Sequence, residues 1–290
     1  MNAERWALVA AAAVGVQVGA AIVATRGVVG ELGPASIAFL RYLLAIACLL
    51  PFLWARRGSA RIERRDLPGV MLLGIGQFGL LIALLNIGLR TVSAAKAALL
   101  FASFPMLTLL VAHLLGHERL TVRKSLGSLL ALAAVALALG VDTLQAPSLW
   151  IGEAAVLGSA LCGAVCSALY RPYLQRYQAL PVSVWAMAAA VVFLAVWAAF
   201  EGVADRIADL SAAGAAAVVF IGVSSGAGYF LWLWALRHAR ASTVTLFLAL
   251  SPLTAMAAGA WWLGEPAPPS LWIAFVLVAA GITLAHRPDG

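Results

Sequence analysis

Charge is scarce in this chain. Of its 290 residues only 11% are charged, against about 25% in a soluble domain. A chain of this length with so few charges cannot cover itself with a polar surface, so lipid must be the solvent over most of it. Cysteine is scarce as well. Cys48, Cys162 and Cys166 all fall inside apolar stretches, without metal-type spacing or even pairing, and read as small packing residues. A phosphate-binding loop, a cluster of metal ligands and a nucleophile–base pair are all missing. ATP-driven pumping within the chain, enzymatic catalysis, and a metal or other cofactor are therefore not expected. Acids are missing from the middle of every apolar run: Glu118, Asp142, Glu153, Glu201, Asp205, Asp209 and Glu265 lie at run ends or in loops. Proton-coupled carriers commonly use intramembrane acids as relays. Movement down a gradient, or coupling through an unusual group, is expected instead. No polar stretch is long enough for an extramembrane domain.

Apolar residues make up 64% of the chain. A helix needs about 20 of them to cross the hydrocarbon. Such runs occur at 6–25, 34–54, 67–89, 93–115, 121–140, 149–171, 181–200, 211–236, 241–263 and 269–285. Turn-like or charged breaks separate them, including Gly33-Pro34, Arg56 to Asp66, Gly116 to Thr121 and Pro266 to Pro269. The expected fold is an all-α integral membrane protein of ten transmembrane helices. The first run is preceded by a lone Arg5 beside Glu4, which makes it a membrane helix rather than a signal peptide.

The chain repeats itself at an offset of 147. Pro34 returns as Pro181, Gly79 as Gly226, Leu89-Arg90 as Leu236-Arg237, Pro105 as Pro252 and Glu118 as Glu265. The small-residue row Ala11, Gly15, Gly19 returns as Gly158, Cys162, Cys166. Each copy holds five runs, 1–140 and 148–287. An odd number of crossings sends the second copy through the bilayer upside down. Inverted repeats of this kind build many secondary carriers, with the site at the repeat interface. The runs 121–140 and 269–285, short and aliphatic, are expected at the periphery.

Basic residues set the orientation. Fourteen of them, from Arg5 through the Arg56–Arg65 cluster to Arg287, fall on the side that holds the termini. Arg26, Arg90, Lys96 and Arg206 fall on the other. The excess places both termini in the cytoplasm of a cell (inner) membrane protein. The net charge of +7 thus belongs to loops and is not a nucleic-acid signal. The expected partners are the lipid bilayer and a small-molecule substrate. With both halves in one chain, a monomer suffices.

Polar groups at membrane depth are costly and each needs a reason. Gln17 lies mid-way along the first run and Gln77 along the third, with Asn86 nearer its outer end. Ser224 and Ser225 lie in the eighth run, Ser103 in the fourth and Ser251 in the ninth. At the 147 offset Gln77 falls on Ser224 and Phe104 on Ser251, so polar groups gather at one depth. Gln17, Gln77, Asn86, Ser224 and Ser251 are candidate substrate contacts; helix–helix glue is the alternative. Lys96, one turn into the fourth run, is a further candidate, as a cation for a carboxylate at the outer mouth; snorkelling is its alternative. Arg41 is expected to be structural, bonded to backbone carbonyls or a helix end. Phe78, Phe101, Tyr229, Trp232 and Phe247 are candidate walls of an apolar cavity, or plain packing. Gly15 and Gly19 let the first helix approach a neighbour closely. Glycines of the third and eighth runs strip side chains where a path could run. Pro105 and Pro252 each remove a backbone donor in mid-helix. They are candidate hinges, or static kinks.

Several of these features together resemble the EamA family of the drug/metabolite transporter superfamily. They are the ten runs in two copies, Arg41 in Phe39-Leu40-Arg41, the mid-run Pro105, and Glu118 in Leu115-Gly116-His117-Glu118-Arg119-Leu120. The second copy repeats the proline and carries Leu263-Gly264-Glu265. The resemblance covers the whole chain. It implies an inside-terminated carrier of small metabolites with a central cavity, in which Glu118 and Glu265 flank the start of the next helix. Two departures stand out. Ala188 replaces Arg41 in the second copy. Gln17 stands where small four-helix multidrug relatives carry a glutamate, so drug–proton antiport of that type is not expected. Within the family the pattern is similar to the exporters of aromatic and other neutral amino acids. The rival readings are a multidrug or organic-cation exporter, and, from another class, a pore or non-transporting sensor.

Overall fold

The computed structural model describes residues 3–55, 62–116, 121–139, 147–238 and 247–286. Glu118 and Asp142 lie outside them. Every regular element among the described residues is helical. In chain order these are α1 (Ala3–Val28), α2 (Pro34–Ala55) and α3 (Leu67–Gly74). A π-helical turn (Ile75–Leu80) joins α3 to α4 (Leu81–Gly88). Next come α5 (Ala94–Phe101), α6 (Phe104–Leu114), α7 (Val122–Leu139), α8 (Pro147–Arg176), α9 (Ala179–Phe200) and the short α10 (Val203–Ala208). Then α11 (Ala212–His238), a 3₁₀ turn (Phe247–Ala249), α12 (Leu250–Trp262) and α13 (Pro269–His286) complete the chain. Prolines open α2, α8 and α13, where the missing N–H has no partner to lose. Gly116, Gly202 and Gly264 take positive φ just past α6, α9 and α12, a conformation that ends helices cheaply for glycine alone.

Seven helices or helix pairs are long and apolar enough to cross a membrane: 5–28, 34–51, 67–88, 94–114, 150–176, 180–200 and 212–229. Shorter apolar helices cover 125–138 and 269–281, and α12 adds thirteen residues. The expectation of ten runs of spanning length thus meets seven among the described residues. The fourth and ninth runs are not single helices. α5 ends at Phe101, and Ala102–Ser103 form a turn before α6. Ser103 ties it down, with its N–H at 3.2 Å and its hydroxyl at 2.7 Å from the Leu100 carbonyl. Pro105 therefore sits in the first turn of a new helix, where its missing donor costs nothing, instead of kinking a continuous one. Pro252 sits likewise, third in α12 behind the 3₁₀ turn.

Packing follows the repeat. α1 lies against α11 and α12, while α8 lies against α4 and the α5–α6 pair. α2 meets α11 as α9 meets α3; α2 also meets α9, and α7 meets α13. Close approach is bought with small residues. A Cβ on Gly15 would stand 2.1 Å from the Phe247 carbonyl oxygen, and one on Gly19 2.4 Å from that of Ser251. α7 and α13 sit at the edge, with Leu129 and Val276 about three-fifths exposed.

Candidate functional site

Ser224 and Gly228 are one helical turn apart, so they share a face of α11. That face is turned to α1. Gln17 Nε2 donates to Ser224 Oγ at 3.1 Å. A Cβ on Gly228 would stand 2.7 Å from Gln17 Oε1, so glycine there makes room for the amide. Gly222 and Gly226, on the neighbouring face, lie against Leu44 and the Ala45 carbonyl of α2. The glycines of the third run are packing sites as well. Gly74 lies on the Ala186 backbone of α9, and Gly79 on Phe193.

Gln77 and Phe78 lie inside the π turn, where the Leu81 N–H reaches back to the Gly76 carbonyl. Such turns insert one residue and re-aim the side chains beside it. Gln77 Oε1 is buried without a hydrogen-bond partner. The Phe78 ring meets Tyr42 edge-on, centroids 5.3 Å apart, and Tyr229 at 6.3 Å. The Tyr229 hydroxyl bonds with Ser183. Phe101, Phe104 and Tyr229 pack on the same apolar cluster between α2, α4 and α9. Trp232 and Phe247 do not join it. They pack around Ala7, Ala10, Ala11 and Ala235, toward the ends of α1 and α11. Ser251 is buried, with its carbonyl against Gly19.

Asn86 and Lys96 lie apart from this region, where many helix ends converge. Asn86 is 1% exposed and its amide donates to the Pro34 carbonyl at 2.9 Å, locking α4 to the start of α2. The Lys96 ammonium pairs with Glu153, 1% exposed in α8. The carboxylate that Lys96 meets is thus the chain's own. Glu265 accepts from Arg26 Nε at 3.0 Å and from the Ala94 N–H at 2.8 Å. It therefore sits at the start of α5 rather than α13, which corrects the expectation that it flanks the next helix. The reason is that α1 and α5 bring a cation and an open N–H within reach of the same loop. Glu201 does the same for α2, accepting from the Ala35 and Ser36 N–H groups at 3.1 and 2.8 Å and from the Ser36 hydroxyl at 2.8 Å. Negative charge at a helix N-terminus offsets the open donors there. Glu31 holds the Ser211 N–H ahead of α11 at 2.9 Å. These acids escape a sequence reading because their partners are remote in the chain; the signal available is only an acid just past an apolar run.

At the far end of α3, Asp66 accepts from the Tyr177 phenol at 2.7 Å, with Arg176 at 3.4 Å. The Tyr177 hydrogen bond holds this carboxyl below its ordinary range; burial opposes it, and the Arg176 and Arg65 charges assist.

The backbone contacts expected of Arg41 are not found among the described residues. Its Nε is buried without a partner, and its guanidinium carbon stands 5.7 Å from the Tyr42 ring centroid. Cys48, Cys162 and Cys166 are free thiols; Cys162 reaches the Gly76 carbonyl at 3.5 Å. A cavity of about 650 Å³ opens between α3 and α9, lined by Met71, Ile75, Trp185, Val192, Phe193 and Trp197 among others. It is apolar, and no candidate substrate contact lines it.

Long apolar helices, packed around an amide–hydroxyl contact and ringed at one end by capping acids, define a multi-pass helical membrane protein. The chain belongs to the EamA-like transporter family, whose profile matches it twice, over residues 5–140 and 150–287. It is a membrane transporter and not an enzyme. It is 32% identical over 233 residues to a probable terminal-alkyne amino-acid exporter of Streptantibioticus cattleyicolor, covering 79% of this chain and 76% of that protein. An uncharacterized transporter of Archaeoglobus fulgidus is 28% identical over 276 residues, 93% of this chain and 94% of its own length. The uncharacterized transporter YyaM of Bacillus subtilis is 27% identical over 263 residues, 89% and 86% of the two chains. A solved crystal structure shares the fold at 20% identity, with a TM-score of 0.66 over 95% of this chain and 94% of that one.

Proposed function

We propose that this transporter is an alternating-access carrier that exports amino acids or similar small amphipathic metabolites from the cytoplasm. The observation that carries the reading is the Gln17–Ser224 hydrogen bond, a polar contact at mid-depth between helices of different halves. Two five-helix repeats, 1–140 and 148–287, run in opposite directions across a cell (inner) membrane with both termini inside. The packing of α1 on α11 and α12, mirrored by α8 on α4 and α5–α6, supports that arrangement. Gln17, Gln77, Ser224 and Ser251 contact the substrate's polar part, and Phe78, Phe101, Tyr229, Trp232 and Phe247 its apolar part. Asn86 and Lys96 serve the outer mouth, where their bonds to Pro34 and Glu153 break and reform as it opens. The helix breaks ahead of Pro105 and Pro252 are the hinges.

Carboxylate-based proton coupling is not part of this reading. Glu153 is engaged by Lys96, and Glu201 and Glu265 by helix N-termini. The named relative supports an amino-acid cargo. Counterflow in proteoliposomes against amino acids, nucleosides and lipophilic cations tests the proposal. Amino acids should exchange, and Gln17→Ala or Gln77→Ala should cut the flux while the protein stays folded. Exchange of lipophilic cations alone would favour a drug exporter. No flux of any solute, or flux far above that of a conformational cycle, would remove the carrier reading.

A further inference from the structure

Two buried polar atoms in the helix bundle want opposite things. Arg41 Nε is a donor without a partner, and Gln77 Oε1 is an acceptor without one. Arg41 carries a full charge two turns into α2, and no carboxylate among the described residues pairs with it. The Tyr42 ring lies 5.7 Å from its guanidinium carbon. A ring face attracts a cation but does not replace a counterion. A bare cation at membrane depth is costly, and such residues mark substrate pathways.

Each orphan stands next in sequence to one ring of an aromatic pair. Arg41 precedes Tyr42, Gln77 precedes Phe78, and the Tyr42 and Phe78 rings touch at 5.3 Å between centroids. Tyr229 extends the same aromatic surface. The π turn presents Gln77 and Phe78 in a register that an α-helix would not give them. A guanidinium seeks a carboxylate, which it can hold through two parallel bonds. An amide oxygen seeks an N–H donor, and an ammonium supplies three. One small molecule that carries both groups, joined to an apolar side chain, is a neutral α-amino acid.

We infer that Arg41 and Gln77 form the headgroup site of the carrier. Arg41 binds the substrate carboxylate, Gln77 Oε1 accepts from its ammonium, and Tyr42, Phe78 and Tyr229 hold a large apolar or aromatic side chain. The inference rests on the amino-acid reading above and adds a requirement to it: both charges of the zwitterion are needed. It also gives Arg41 a role in recognition in place of the structural one its sequence context suggests.

The test is equilibrium binding to the purified full chain in detergent, with three probes of one shape: L-phenylalanine, 2-phenylethylamine and 3-phenylpropionate. Wild type should prefer phenylalanine to either analogue. Arg41→Gln should weaken phenylalanine and phenylpropionate about tenfold to hundredfold and leave phenylethylamine unchanged. Gln77→Leu should do the reverse, weakening the two amines and sparing the acid. Arg41→Lys should retain part of the carboxylate affinity. A variant that loses all three probes together points to a structural role and overturns the assignment. Phenylalanine bound equally by wild type and Arg41→Gln overturns the assignment and leaves the amino-acid reading standing. A folded wild type that binds none of the three removes that reading and this inference with it.

Discussion

Replacing Gly15 by alanine sets a new methyl 2.1 Å from the Phe247 carbonyl oxygen, 3.0 Å from its carbon and 3.2 Å from Leu250 Cβ. The obstacles are mostly backbone and cannot rotate away. Ordinary contact begins near 3.4 Å, so α1 must retreat from α12 by 3.4 − 2.1, about 1.3 Å, or the 3₁₀ turn ahead of α12 must deform. Overpacking of this sort costs about 1–3 kcal/mol. Alanine also gains about 1 kcal/mol over glycine in a helix, which would blur the measurement. Gly158 supplies the control, because a Cβ there meets only Leu84 Cδ1 at 3.9 Å. Both substitutions carry the same propensity gain, so their difference isolates the clash. Reversible unfolding in mixed micelles should show Gly15→Ala less stable than Gly158→Ala by about 1–3 kcal/mol. Transport should fall with it, because the displaced segment adjoins the break before Pro252. Equal stability of the two variants would refute the close approach of α1 and α12.

Removing the Lys96 ammonium by Lys96→Met should destabilise the chain by about 3–5 kcal/mol, because Glu153 then stays buried without that counter-charge. Adding Glu153→Gln should recover much of the loss, and unfolding midpoints of the single and double variants check it. Glu201→Ala opens two N–H groups at the start of α2 and should cost about 1 kcal/mol, while Glu201→Gln should lose less. Hydrogen exchange at Ala35 and Ser36 reads that end directly. Asp66 has a folded pKa below its ordinary 3.8, so its contribution is present above that value and fades as pH falls through the lowered one. Asp66→Asn should therefore narrow the stability gap to wild type only under acid conditions, as acid titration of the unfolding midpoint would show.

Much of the site was open to a sequence reading where the helix period fixes it. Gln17 and Ser224 are polar residues in otherwise apolar runs, and such residues in a membrane face the protein interior. That rule turns both inward without pairing them; their meeting at 3.1 Å came from the tertiary structure. The Gly15 and Gly19 row was legible for a similar reason, since small residues at a four-residue spacing let helices touch. The identity of the touching helix was not, because nothing local in α1 names α12. The glycines of the third and eighth runs, read as a stripped path, turned out to seat Ala186, Phe193, Leu44 and the Ala45 carbonyl. A bare face looks the same in sequence whether it borders water or a neighbouring helix.

Composition and period alone determined that this chain lives in lipid, is built of apolar helices and is built twice over. These are properties of single segments and of their order, and the solvent enforces them residue by residue. Only the tertiary structure decided which acid meets which donor. Glu265 serves α5, Glu201 serves α2, and Glu153 is held by Lys96, each across a chain separation no local rule spans. It also decided that the prolines open new helices and that Arg41 stands beside Tyr42 with no carboxylate among the described residues paired to it. Those outcomes depend on which surfaces are pressed together, and a one-dimensional pattern carries the demand for a partner without the partner's identity.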